Sequence, residues 1–181
     1  MSEIVILSGS PSKSSRSDLV LKYLGSILKN EDFTVTHVSI RNIPKDALFY
    51  GEFEDPAVKD IASLIHEAKG VIVGSPVYKA AYSGVLKALL DILPPDVLQG
   101  TPVLPLMTGG SQSHLLAIEY TLKPLLATLK GQNLKGVYLL DDQIDKTQLN
   151  NPIIHLETLE RLRKQLDYFI ETVNRQKDRV L

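Results

Sequence analysis

Cysteine is absent from the 181-residue chain. Disulfides, thiolate metal clusters and a cysteine nucleophile are therefore excluded, and the lack fits a cytoplasmic home. Tryptophan is absent too, and aromatics make up only 6% of the sequence. Neither sign of charge is in excess. The formal net charge of -1 argues against the basic surface that nucleic-acid binding needs. No apolar run approaches the roughly 18 residues of a membrane span. The N-terminus lacks the charged-then-apolar order of a secretory signal. The histidines, His37, His66, His114 and His155, show no metal-ligand spacing with one another or with a carboxylate pair, so no metal is expected. With no repeat, low-complexity tract or linker either, residues 1–181 read as one soluble cytoplasmic domain, long enough to bury a core.

What is present is an alternation of strand-like and helical patterns. Ile4 to Leu7 is a short buried-type apolar run, and Leu19, Val20, Tyr23, Leu24, Ile27 and Leu28 follow at helical spacing. Phe33 to Ile40 alternates apolar and polar residues, as a strand near a sheet edge does. Arg41 to Pro56 reads as irregular, and Asp55-Pro56 as a helix start, with Asp as cap and Pro in the first turn. Further strands are expected at Gly70–Ser75, Thr101–Thr108 and Gly136–Leu140, separated by a helix from Val85 to Leu93 and another from about Ser113 to Leu129. Pro124 cannot donate to the carbonyl of Tyr120, so that last helix should be irregular there. Asp141 to His155 reads as a polar loop before a final amphipathic helix. Five strands with intervening helices predict a doubly wound α/β fold: a flavodoxin-like three-layer sandwich with a parallel sheet ordered 2-1-3-4-5. Its ligand crevice would lie at the carboxyl ends of strands 1 and 3.

The residues at that crevice carry the chemistry. The first strand breaks into Ser8-Gly9-Ser10-Pro11-Ser12-Lys13-Ser14-Ser15-Arg16-Ser17 before the first helix. A strand, a small-residue loop and a helix N-terminus make an anion site of backbone N–H groups and hydroxyls, and Arg16 can grip phosphate oxygens in a fork. A Walker loop is ruled out because the Gly-Lys-Ser/Thr ending is missing, and the dinucleotide fingerprint needs three glycines where one stands. Taken alone, the segment fits either a phosphate loop or an ordinary βα loop whose serines only cap the helix. The third strand leads into Pro76, Val77 and Tyr78, an apolar wall able to line a planar ring. The fourth leads into Thr108, Gly109, Gly110 and Ser111, whose backbone N–H groups can bond a ring carbonyl or stabilise charge developing beside it. One phosphate, one flat face and polar edge contacts describe flavin mononucleotide (FMN). The plainer alternative makes Pro76 a turn residue and Tyr78 a half-buried core aromatic.

The runs Gly9-Ser10-Pro11, Ser15-Arg16-Ser17, Pro76-Val77-Tyr78-Lys79-Ala80-Ala81-Tyr82-Ser83-Gly84, Thr108-Gly109-Gly110, His114-Leu115-Leu116-Ala117 and Leu122-Lys123-Pro124 resemble the NADPH-dependent FMN reductase family. Within it they look most like the reductases of two-component alkanesulfonate monooxygenase systems. The resemblance covers about residues 3 to 140. Two positions depart from the wider family pattern: Ser12 where many members carry Arg, and Lys79 where many carry Asn.

The resemblance implies hydride transfer from NADPH to FMN, with reduced FMN passed to an FMN-dependent monooxygenase in sulfonate assimilation. No catalytic side chain is required, because the chemistry is the cofactors' own. It assigns Ser10, Ser15, Arg16 and Ser17 to the phosphate, Pro76, Val77 and Tyr78 to the isoalloxazine and ribityl, and Thr108, Gly109, Gly110 and Ser111 to the ring edge. Lys79 and His114 would lie near the nicotinamide or a subunit interface, unless they are a plain solvated lysine and a satisfied histidine. The resemblance also implies a homotetramer, with a π-bulge at Tyr120 in the interface helix. Two other functions fit the same crevice: an NAD(P)H-dependent quinone or azo-compound reductase with bound FMN, and a non-catalytic flavodoxin-type electron carrier. The near-neutral charge and the lack of tryptophan count against the carrier.

Overall fold

The structure is a computed structural model that describes residues 3–177. Its parallel sheet contains β1 (Ile4–Ser8), β2 (Val35–Ser39), β3 (Gly70–Pro76), β4 (Pro102–Gly109), β5 (Gln132–Asn133) and β6 (Val137–Leu140). The order is β2-β1-β3-β4, with β5 and β6 both pairing with β4. The expected order 2-1-3-4-5 therefore holds, with the fifth position split in two.

The split has a local cause. The Leu134 N–H bonds to the Val103 carbonyl, so Val103 faces the fifth strand, and Pro105, two residues on, faces the same way. Pro105 has no N–H to offer that neighbour, and the pairing is interrupted opposite it. The register slips by one residue there, from Val103↔Asn133 to Leu106↔Val137. Gly136 makes the turn back at φ +80°, where an added Cβ would stand 2.6 Å from the Pro105 carbonyl oxygen.

Alternation along the strands divides the core into two layers. Ile4, Ile6, Ile72 and Leu104 pack under α1 (Arg16–Asn30) and under the final helix, which spans Leu156–Lys177. On the opposite face Val5, Leu7, Val71, Val73 and Val103 pack with Val58, Ile61 and Ile65 and with Leu86 and Leu89. The stretch expected to be irregular, Arg41 to Pro56, contains a short helix α2 (Lys45–Tyr50), which docks Ala47 in that second core. The next helix, α3 (Pro56–His66), begins as read: the Asp55 carboxylate accepts from the Ala57 N–H at 2.8 Å, with Pro56 in the first turn. It is followed by α4 (Gly84–Asp91).

The helix expected over Ser113–Leu129 is three pieces: a 3-10 turn at Gln112–His114, a π-helix at Ile118–Leu122 and α5 (Lys123–Thr128). The Lys123 N–H reaches back five residues to the Ile118 carbonyl. Pro124, one residue on, has no N–H with which to restore the α pattern, and the wide turn centres on Tyr120. The final helix is α6 (Leu156–Lys177). Among the described residues no helix is long and apolar enough to cross a membrane.

Candidate functional site

Consecutive strands run outward from β1 to β2 on one side and from β3 to β4 on the other, so the chain reverses direction across the sheet between β1 and β3. A crevice opens at the carboxyl ends of strands at such a point. Registers Ser8↔Gly74, Pro76↔Thr108 and Gly109↔Leu140 bring the strand exits level. Backbone bonds then join the loops: Gly9 N–H to the Gly74 carbonyl at 2.7 Å, and Val77 N–H to the Thr108 carbonyl at 2.7 Å.

The first loop caps α1 with its own hydroxyls. Ser15 Oγ accepts from the Asp18 N–H at 3.2 Å and shares a hydrogen bond of 2.9 Å with Ser17 Oγ. That pair uses one hydroxyl hydrogen and leaves the other to donate elsewhere. Ser10 Oγ accepts from the Ser12 N–H at 3.3 Å and keeps its own hydrogen. Arg16 Nε is buried with no partner among the described residues, while its Nη1 stands 4.0 Å from Asp141 Oδ2. An orphaned guanidinium donor beside spare hydroxyl hydrogens and a helix N-terminus suits a phosphate. Ser10 and Ser17 are buried, so they stiffen the loop from beneath, whereas Ser15 and Arg16 reach its surface.

Asp18, in the first turn of α1, puts a carboxylate close to this loop. It is almost fully buried and bonded to His37 Nε2 at 3.0 Å, Lys22 Nζ at 3.1 Å and Arg41 Nη2 at 3.3 Å. Burial alone would push its pKa up, but the hydrogen bonds from His37 and Lys22 and the Lys22 charge outweigh it and hold the carboxyl well below its ordinary range. The Ser8 hydroxyl faces it as well without reaching hydrogen-bond geometry. The cations Lys22 and Arg41 and the imidazole of His37 surround Asp18, so its negative charge is masked from the neighbouring loop.

The second loop is a tight turn. Tyr78 N–H donates to the Ala81 carbonyl at 2.8 Å, and Ala81 N–H returns to the Tyr78 carbonyl at 3.2 Å. Lys79 and Ala80 both have positive φ, +51° and +66°, as a type I′ turn requires. Neither is glycine or asparagine, so the tip is strained. The turn presents Tyr78, 45% exposed, and the exposed Lys79 to solvent, with Pro76 and Val77 half-buried behind them. Ala80→Gly is expected to stabilise the fold by about 0.5–1 kcal/mol, the strain relieved minus the entropy glycine adds to the unfolded chain. A thermal melt should show a rise of roughly 2 °C, and an unchanged or lower Tm would count against stored strain.

In the third loop Thr108 and Gly109 are buried, and Gly110 and Ser111 form the accessible edge. An added Cβ on Gly109 would lie 2.5 Å from Tyr138 Oη, so glycine lets the Tyr138 hydroxyl through to donate to the Ser111 carbonyl at 2.6 Å. Burial pushes the Tyr138 pKa up, and the Asp141 carboxylate pushes the same way. The phenol therefore remains a donor at neutral pH. His114 is half-buried in the 3-10 turn, where its N–H donates to the Ser111 carbonyl at 3.3 Å.

Several residues that build the site escaped the sequence reading. Ser75 and Ser83 are fully buried between the first and second loops. The Ser83 hydroxyl donates to the Gly9 carbonyl and accepts from the Leu86 N–H at 3.1 Å, and Ser83 N–H donates to Ser75 Oγ at 2.9 Å. Serine before Gly84 and an apolar helical run is a cap signal that could have been read. Tyr138, Asp141 and Lys146, from the fifth strand position and beyond, gave no such signal. A concavity of about 510 Å³, lined by Phe53, Val58, Ala62 and Ile92 among others, includes none of the three loops, whereas one of about 340 Å³ is lined by Lys13, Ser14 and Ser15 of the first loop with Lys146.

The sequence matches the family described as NADPH-dependent FMN reductase over residues 2–145. It is 47% identical over 142 residues to FMN reductase (NADPH) of Escherichia coli, an alignment covering 78% of this chain and 74% of that protein. It is 39% identical over 168 residues to FMN reductase (NADPH) of Pseudomonas putida, covering 92% and 85%. The apo crystal structure of the NADH:FMN oxidoreductase EMOB superposes with a TM-score of 0.80 at 32% identity, covering 93% of this chain and 88% of that one. With the sheet order and the loop motifs, these likenesses settle the family: the chain belongs to the NADPH-dependent FMN reductases, flavodoxin-like oxidoreductases that work with FMN and NADPH.

Proposed function

We propose that the crevice receives FMN with its phosphate at the first loop, its ring system against the second and its polar edge at the third, and that the reduced flavin leaves for a partner monooxygenase in sulfonate assimilation. The observation that carries this reading is the convergence of the three loops at the sheet's switch point, with the unpartnered Arg16 Nε at one of them. When bound, nicotinamide and flavin supply the hydride donor and acceptor between them. The chain's own part is to bind and orient. Ser15 and Arg16 hold the phosphate, with Ser10 and Ser17 fixing the loop beneath. Pro76, Val77 and Tyr78 give the ring a flat apolar wall. The N–H groups of Gly110 and Ser111 offer donors at the ring edge, with Thr108 and Gly109 as their buried base. Lys79 and His114 flank the open side where NADPH would approach.

The exposed side chains of Leu115, Leu116 and Tyr120 around the π-helix, 53%, 55% and 76% accessible, support a homotetramer that packs this segment between subunits. The test is NADPH oxidation by flavin-free protein with added FMN. Oxidation should saturate with free FMN and exceed that with a quinone or azo dye. Tight retention of FMN with turnover only of a quinone would replace this reading by that of a reductase with bound flavin.

A further inference from the structure

Asp141 stands where three segments meet. It follows β6 directly, and the register Gly109↔Leu140 places it beside Gly110 of the third loop. Its Oδ2 lies 3.8 Å from the position a Cβ on Gly110 would take, and 4.0 Å from Arg16 Nη1 of the first loop. Its charge also reaches the Tyr138 hydroxyl. Five residues on, Lys146 Nζ donates to the Ser14 carbonyl at 2.8 Å, so the segment after β6 is fastened across the first loop. That clasp keeps the carboxylate beside the loop. Asp18, the other carboxylate at this loop, is masked by Lys22, His37 and Arg41, whereas the only cation paired with Asp141 among the described residues is Arg16, with 39% of the Asp141 side chain exposed.

We infer that Asp141 is an affinity-setting residue: its carboxylate competes with the flavin phosphate for Arg16 and repels the phosphate, keeping FMN binding weak enough for release. The inference rests on the reading of the first loop as the phosphate site. A phosphate must draw Arg16 from an existing partner, and it then sits near a fixed negative charge that the guanidinium neutralises only in part. The competition for Arg16 acts on the phosphate alone, so riboflavin, which shares the ring and ribityl but carries no phosphate, feels only the carboxylate's charge beside Gly110 at the ring edge. An exposed pair at this distance is weak, but a phosphate carries up to two negative charges and senses the carboxylate along with the loss of its partner.

Binding of FMN and of riboflavin, followed by flavin fluorescence quenching, tests this on the full chain and on its Asp141→Asn, Asp141→Ser, Arg16→Ala and Arg16→Ala/Asp141→Asn variants. Asp141→Asn and Asp141→Ser should tighten FMN about five- to tenfold and change riboflavin binding far less. The gain should shrink when Arg16 is already alanine. Unchanged or weakened FMN binding in both Asp141 variants, with Arg16→Ala still weakening FMN relative to riboflavin, overturns the inference and leaves the phosphate reading standing. FMN binding indifferent to Arg16→Ala overturns both.

Discussion

Asp18→Asn should lower stability at neutral pH by about 2–3 kcal/mol and remove much of the protein's sensitivity to acid. The carboxylate is buried, and His37, Lys22 and Arg41 converge on it. Taking away one partner of a buried charge cluster leaves the others uncompensated, which costs about 3–5 kcal/mol when all are buried. Here Lys22 is 60% exposed and His37 and Arg41 about a quarter, so water repays part of the loss. The sign of the pH effect follows from the direction of the shift. A carboxyl whose pKa is held down in the folded state contributes stability in full above its unfolded value, about 4, and loses it as pH falls below that towards the folded value. Urea unfolding at neutral pH and near pH 3 should therefore show the gap between wild type and Asp18→Asn closing in acid. A gap of equal size at both would place the stabilisation outside the carboxylate's charge.

The sheet was legible from the sequence because its signals are local and strong. Buried strands such as Ile4–Leu7 and Val71–Val73 are continuous apolar runs, and β2, at the edge, mixes polar and apolar residues. Asp55-Pro56 announced α3, and Pro124 announced the irregular turn at Tyr120. The interruption between β5 and β6 was less legible, because the reason lies on another strand: Pro105 of β4 lacks the N–H that a continuous neighbour would need. The helix α2 was missed because Arg41–Pro56 has prolines and exposed aromatics in place of a periodic apolar face. Phe49 and Tyr50 point outward and meet edge-to-face with centroids 5.0 Å apart.

The candidate site divides along the same line. Residues offered by loop composition, from Ser10 to Ser17 and from Pro76 to Lys79, lie at the strand exits where the topology puts them. Which of them face outward was not legible, since Ser15 and Ser17 look alike in sequence and differ in burial. The Asp141 carboxylate was invisible for a different reason. It is separated from Arg16 by most of the chain and approaches it only because β6 and β1 point the same way in one parallel sheet.

Ser83→Ala should cost about 2–3 kcal/mol and loosen FMN binding roughly tenfold, because one hydroxyl performs two tasks. As the N-cap of α4 it accepts from the Leu86 N–H, a bond worth about 1 kcal/mol. As a donor it satisfies the Gly9 carbonyl inside the junction of the first two loops, and a buried carbonyl left without a donor costs about 1–3 kcal/mol. The Ser83 N–H also holds Ser75 Oγ, whose hydrogen goes to the Pro76 carbonyl at 2.9 Å. The first and second loops, proposed to hold the phosphate and the ring, are thus set relative to each other through a chain of serine bonds in a fully buried place. In the proposed pose FMN touches both loops, and relaxing that tie shifts the Pro76–Tyr78 wall against which the ring of either FMN or riboflavin rests, so both flavins should bind more weakly. This separates the effect from that of Asp141, which acts chiefly on the phosphate. Ser83→Thr keeps both hydrogen-bonding roles and should recover most of the stability. Thermal unfolding with flavin titration of the two variants decides the matter. A Ser83→Ala protein that is destabilised but binds FMN and riboflavin as the wild type does would make the tie a feature of the fold with no part in the site.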